Sequence, residues 1–265
     1  MPSHSSRGLS FRYNAHAHGF SAQIRRPFCH DVPVQAGTSL PAMGGHGSAR
    51  VDHFKLNELI SFQAAYSHVS GSAMEDGAHT TLVTAVVERM NILDVVTADR
   101  VVAHLAIHHE PEGKSRTVFV GSKFENLRIG SYEVKVVFDE ELLCGRYLRK
   151  DLETFADFRA SVQKDKAFGD MVARRHCWTP EHHQYLDKGL ALCSLVKSVQ
   201  TECPCVEVKG GNVLVVPQFG KVFLGELLLK PHEHSLTMMR IELGSPVAGI
   251  VTAAEGSGNG QPYPS

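Results

Sequence analysis

No apolar run in the 265-residue chain approaches the ~20 residues that a membrane-crossing helix needs, so no membrane span is expected. The opening stretch, MPSHSSRGLSFRYNAHAHGF, lacks the apolar core of a secretory signal. The expected setting is therefore cytoplasmic and reducing, with an extracellular surface as the alternative. Neither sign of charge is in excess: 27 Lys and Arg against 28 Asp and Glu leave a net charge of −1. Nucleic acid is not an expected partner, because phosphate binding draws on a basic excess or a basic stripe. Cysteine is sparse as well. The six residues Cys29, Cys144, Cys177, Cys193, Cys203 and Cys205 are too few to scaffold a chain of this length by disulfides, and reduced thiols are the expected state. Catalytic signatures are missing: there is no G-x-S-x-G elbow, no S-x-x-K with partners and no Gly-rich loop ending in G-K-S/T.

What is present points to strands. Thr80–Ile107, TTLVTAVVERMNILDVVTADRVVAHLAI, is dense in β-branched residues, which suit a pleated surface and lose side-chain freedom in a helix. Two strands joined near Met90–Asn91, with a further bend near Asp99, fit it best. Phe11–Ile24 reads as a strand broken at Gly19, and Gln35–Ser48 as a loop by its glycines, proline and hydroxyl residues. Gly130-Ser131 separates RTVFVGSKFENLRI from the alternating YEVKVVF and predicts a type II′ hairpin turn. A second hairpin is expected around Gly210-Gly211. The strongest is KVFLGELLLKPHEHSLTMMRIEL, with Phe223, Leu227 and Leu229 on one face, Met239, Ile241 and Leu243 on its partner, and KPHEH as the loop.

Between these β segments the period changes. Leu148, Leu152, Phe155, Phe158 and Val162 recur at helical spacing. A second helix is expected from Thr179, with Pro180 at its first position and Leu192, Leu195, Val196 and Val199 as its apolar stripe. The fold class that follows is mainly β, an antiparallel sandwich or barrel-like domain over 9–254, with a two-helix insertion at 147–200. The tail 255–265, EGSGNGQPYPS, has no core-forming pattern and is expected to be flexible.

NILDVVTADRVVA (Asn91–Ala103), SKFENLRIGSYEV (Ser122–Val134) and FGKVFLGELLL…LTMMRIEL together resemble the β-rich domain of bacterial choice-of-anchor P surface proteins. The shared features are a leucine-bearing strand entering a T-A-D turn, a valine strand, an S-x-F-x-N-L-x-I segment and paired C-terminal strands. The resemblance spans roughly 80–250 around the helical insertion, and its motifs are structural. It implies a β-domain associated with a surface, and no catalytic residues come with it. The chain departs from that pattern in its histidine and cysteine content and its charged insertion.

Histidine is the compositional oddity, with 16 in the chain. HLAIHHE (His104–Glu110) continues a β-rich run. As a strand it puts Val101, Ala103, Leu105 and Ile107 inward and His104 and His108 outward, roughly 13 Å apart, too far to share an ion. The H-x-H pairs are better metal candidates, since on a strand both imidazoles of such a pair share a face about 7 Å apart. His16/His18 in AHAHGF and His232/His234 in PHEH are these pairs, and together they make a candidate four-histidine site for zinc or iron. HCWTPEHH (His176–His183) and Cys203-Pro-Cys205 read as a helix start and as a spacing too short for a zinc knuckle. Two functions are therefore expected. The first is a non-enzymatic structural or assembly β-domain that self-associates. The alternative is a histidine-rich metal-binding protein or metal-dependent enzyme with a cupin-like β-barrel.

Overall fold

A computed structural model describes residues 10–111, 115–144, 191–230 and 233–263. The first half carries β1 (Ser10–Arg26), β2 (His30–Gln35), β3 (Thr38–Ser39), β4 (Gly45–Leu56), β5 (Ile60–Ala73), β6 (His79–Ile92) and β7 (Val96–His109). Then come β8 (Ser115–Val118), β9 (Lys123–Glu125), β10 (Arg128–Ile129), β11 (Tyr132–Phe138) and the four-residue helix α1 (Glu140–Leu143). The rest carries β12 (Ala191–Ser194), β13 (Val196–Thr201), β14 (Glu207–Lys209), β15 (Val213–Val216), β16 (Gly220–Lys230), β17 (Glu233–Leu243) and β18 (Ala248–Tyr263).

These strands build two antiparallel sheets of nine. Sheet A runs β14–β15–β16–β17–β18–β1–β2, with β12 beside β16 and β3 beside β1. Sheet B runs β13–β11–β10–β7–β6–β5–β4, with β8 and β9 beside β7. Their inner faces make one core, in which Phe20, Ile24, Met90, Ile92, Leu105 and Phe119 are fully buried. At one side the sheets are stitched by Leu195, whose N–H donates to Gly225 O at 2.8 Å while its carbonyl accepts from Asp139 N at 2.7 Å. At the other side Leu40 N–H donates to Ala15 O, and Ala42 O accepts from Tyr13 N, as the chain passes from β3 to β4.

The mainly β sandwich reading holds, and so do its hairpins. Ile129 pairs with Tyr132 across Gly130-Ser131, where Gly130 has φ 58° as a type II′ turn requires. Lys209 pairs with Val213 around the two glycines, and Lys230 pairs with Glu233. Other expectations need correction. Residues 45–48 belong to β4 and not to a loop, and β1 runs through Gly19 unbroken. The β6–β7 turn sits at Leu93–Val95, later than Met90–Asn91.

The predicted two-helix insertion at 147–200 is not supported. Its first helix and the start of its second fall within 145–190, outside the described residues. The end of its second helix is strand: β12 and β13 occupy 191–194 and 196–201. Leu195 and Val196 are both fully buried because the chain changes sheets there, and that crossover mimics a helical interval. The tail expected to be flexible is, through Tyr263, the second half of β18. It pairs with β1 through Tyr263 and with β17 as far as Gly258, with His16 opposite Ser257 and Leu236 opposite Gly256.

A transverse slip crosses both sheets. In β4, β5, β6 and β7 the inward residues step by three once, from Val51 to Phe54, Phe62 to Ala65, Val87 to Met90 and Ala98 to Val101. The same step occurs in β1 (Ala17 to Phe20), β16 (Leu224 to Leu227), β17 (Leu236 to Met239) and β18 (Ala253 to Gly256). Pairing keeps its register on both sides of each step. Alternate strands carry a left-handed residue there: His53 (φ 56°), Arg89 (φ 49°), Ala254 (φ 53°) and Gly225 (φ 59°). Because the positions lie side by side, the pleat slips in a line and these eight strands change parity together. Gly19 belongs to this line, and a Cβ there would stand 2.7 Å from the Ala65 Cβ of the opposite sheet.

Candidate functional site

Of the predicted metal ligands, the described ones, His16, His18 and His234, do not converge. Ala15 and Ala17 enter the core, so His16 and His18 share the outer face of sheet A. His16 meets Ser257 Oγ through Nδ1 at 2.9 Å. His18 Nε2 lies 3.9 Å from Glu255 Oε2, and burial lowers its pKa against the opposing pull of Glu255. His234 is on β17 and not in a loop, and it faces the other way: its Nδ1 is 2.6 Å from Thr117 Oγ1 of β8, across the sandwich. His232 lies outside the described residues. A sheet separates His16 and His18 from His234, because parity along each strand decides the face. Among the described residues no three His, Cys, Asp or Glu side chains are arranged to hold a metal, so the zinc or iron site and the cupin-like arrangement are not assembled there.

HLAIHHE is a strand end, as expected. His108 is exposed beside Thr80, and His104 is half-buried with Nδ1 3.1 Å from Thr84 Oγ1. Its third histidine turns inward. His109 is buried and sits directly opposite His79, whose Nδ1 meets the Tyr13 hydroxyl at 2.8 Å and whose ring stacks on Phe11 at 4.1 Å. Burial, reinforced by His79, His234 and His108, pushes His109 down to about 4. Burial takes His234 to about 4 as well. These three histidines form a neutral polar layer closing the core at the end where β1 begins and β18 finishes. The sequence signal was parity, since His109 and His79 each continue an inward alternation.

This histidine-bearing end also presents apolar surface. Met43 is 80% exposed and Tyr263 57% exposed, and with Phe11, Ala42 and Arg12 they line one depression. The opposite end of the sandwich holds a cleft of about 580 Å³. Its walls come from turns of both sheets: Leu93–Val95 and Ile129–Tyr132 from one, Val216–Phe219 and Pro246–Val247 from the other. Asp94 stands in it, held by Asn91 Nδ2 at 2.6 Å, and so do Cys203 and Cys205. Turn composition gives this cleft its apolar lining. Each turn ends a strand whose last inward residue, such as Ile129 or Val216, has no inward neighbour beyond it. Its volume falls within the range of small-molecule pockets.

The family model described as Domain of unknown function (DUF8256) matches residues 11–230. The chain belongs to the DUF8256 family. No curated protein and no solved structure matches it. The family match covers β1 to β16, so all walls of the cleft except Pro246–Val247 fall within it. In this DUF8256 chain β18 then joins β1 to β17 and completes sheet A. Among the described residues no helix is long and apolar enough to cross a membrane, which says nothing of spans made by strands.

Proposed function

We propose that this DUF8256 chain is a non-enzymatic assembly domain whose copies associate end to end, the Met43–Tyr263 end of one seated in the cleft of the next. The observation that carries the reading is the pairing of an 80% exposed methionine at one end with an apolar cleft of about 580 Å³ at the other. Exposed large apolar side chains grouped at one end, Met43 with Tyr263, mark an interaction surface. Charge agrees with it: Arg12 lines the Met43–Tyr263 end and Asp94 stands in the cleft. The strands between them set the two surfaces on the order of 40 Å apart, at opposite poles. Contact between unlike surfaces is heterologous and propagates into rings or filaments. The likeness to surface-associated β-domains fits an assembly role.

Sedimentation velocity and native mass spectrometry of the full chain test this. Wild type is expected to form concentration-dependent oligomers, and Met43→Asp and Tyr132→Asp are each expected to be monomeric. Mixing the two variants restores one good contact, the intact end of Tyr132→Asp in the intact cleft of Met43→Asp, and yields capped heterodimers. A wild type that stays monomeric at every concentration overturns the proposal, as does a mixture that remains monomeric.

A further inference from the structure

Cys203 and Cys205 are joined by a single proline, and their sulfurs lie 3.0 Å apart. The backbone explains the approach. Val206 N–H donates to Cys203 O at 3.2 Å, closing a β-turn with Pro204 at its second position, where the ring already has the φ that the turn needs. Cys203 is further tied by its N–H to Thr201 Oγ1 at the end of β13. Cys203 is buried and Cys205 exposed, both border the cleft, and both are thiols. A disulfide needs its sulfurs at ~2.05 Å, so closure asks for about one ångström of movement within a turn already formed.

We propose that Cys203 and Cys205 are a thiol–disulfide exchange site, closing reversibly to a Cys203–Cys205 disulfide with a small-molecule disulfide of the glutathione type as oxidant. Cys205, the exposed sulfur, gives its proton to water and attacks one sulfur of the oxidant. The oxidant's S–S bond breaks, one thiolate leaves, and a mixed disulfide forms on Cys205. The Cys203 sulfur, its proton lost to solvent, then attacks the Cys205 sulfur and expels the second thiolate. Two electrons pass from the protein to the oxidant, which leaves as two thiols once the thiolates recover protons. The contact with Cys203 raises the Cys205 thiol above its ordinary range, so exchange accelerates as pH rises. The site does not depend on assembly through the cleft.

The full chain is equilibrated in glutathione buffers of graded ratio, quenched with acid, alkylated and digested with trypsin. Lys197 and Lys209 release residues 198–209 as one peptide carrying both cysteines. The reduced pair carries two alkyl groups, and the closed pair carries none and is two hydrogens lighter. The expected result is one two-electron transition, its midpoint at least tenfold further toward reducing buffer than for the same peptide free in solution. Pro204→Gly is expected to lose most of that advantage with thermal unfolding unchanged, and Cys203→Ser to stop at a glutathione adduct on Cys205. The proposal is overturned if the pair stays doubly alkylated at every ratio, takes glutathione independently on both sulfurs, or closes no more readily than the free peptide.

Discussion

Replacing Gly256 by alanine separates two accounts of the C-terminal segment. In a loosely held tail the substitution is neutral, or stabilises by about 0.4–1 kcal/mol through a less flexible unfolded chain. In β18 it meets the opposite sheet. A Cβ at position 256 would stand 2.6 Å from Val83 Cγ1, and Val83 is fully buried. Valine has one strongly preferred χ1 and little room to turn away, so overpacking of about 1–3 kcal/mol is expected. Gly256 is not among the glycines with positive φ, so its backbone adds no strain and the unfolded-state gain partly offsets the clash. The net expectation is a loss of about 1–2 kcal/mol, or roughly 2–4 °C of Tm for a domain of this size.

Val83→Ala supplies the check on mechanism. Alone it removes two buried methyl groups and costs roughly 1.6 kcal/mol or more. Combined with Gly256→Ala it removes the clashing atom, so the double variant should be more stable than the sum predicts by about 1 kcal/mol or more. Urea unfolding of the four proteins measures this, with Asn259→Ala on the same strand as a control expected to change little. A Tm unchanged or raised by Gly256→Ala would refute the packing argument. Strict additivity of the two substitutions would refute it as well.

Stability should also depend on pH below neutrality. His109 and His234 have folded values of about 4, below the ordinary unfolded value of ~6.5. The unfolded chain thus binds more protons between these limits. Stability is full above pH ~6.5, falls by about 1.4 kcal/mol per pH unit for each site toward pH ~4, and flattens below that. Urea midpoints from pH 7 to 5 should show the decline, and His109→Leu should roughly halve its slope; a flat profile would contradict the buried placement. On sheet A, Arg240 donates from Nε and Nη2 to the nearly buried Glu226 at 2.7 and 2.9 Å and covers the Phe223 ring at 3.8 Å. Arg240→Met leaves that carboxylate uncompensated and should cost about 3–5 kcal/mol, most of it recovered when Glu226→Met is added. Equal stability of the single and double variants would show that the ion pair is not what the site depends on.

The strands legible in the sequence are those whose alternation is uninterrupted. Val134 and Val136 in β11, and Val101 to Ile107 in β7, announce their inner faces directly. Phe223 shows the limit. Counting by twos from Leu229 and Leu227 across Gly225 assigns it to the core, yet the slip turns it outward under Arg240 and gives the inner face to Val222 and Leu224. A run of like residues obscures part of the site. His109 continues the inward series from Val101, but it stands beside outward His108 in a run of histidines whose types are identical. Residue type does not distinguish them; parity along β7 does, and the partner strand agrees through His79 opposite and Phe11 across the core.

The tail reads as loose for a related reason. Composition treats Gly256, Gly258 and Gly260 as flexibility, but their spacing of two is itself a strand pattern, with Ser257 and Asn259 between them. The apolar partners belong to other strands: Val83 approaches Gly256, Ile107 approaches Gly258, and Phe11 with His109 fills the space at Gly260. An inner face can thus be made of absent side chains when the facing sheet supplies large ones, and no single-strand hydrophobic pattern reports it. The cleft was hidden in the same way. Leu93, Ile129, Val216 and Val247 lie far apart in the chain and become neighbours only because the turns of both sheets end at one pole. What a sequence carries clearly is the face of each residue along its own strand. What it carries poorly is the partner across the core, and both the histidine layer and the cleft are made of partners.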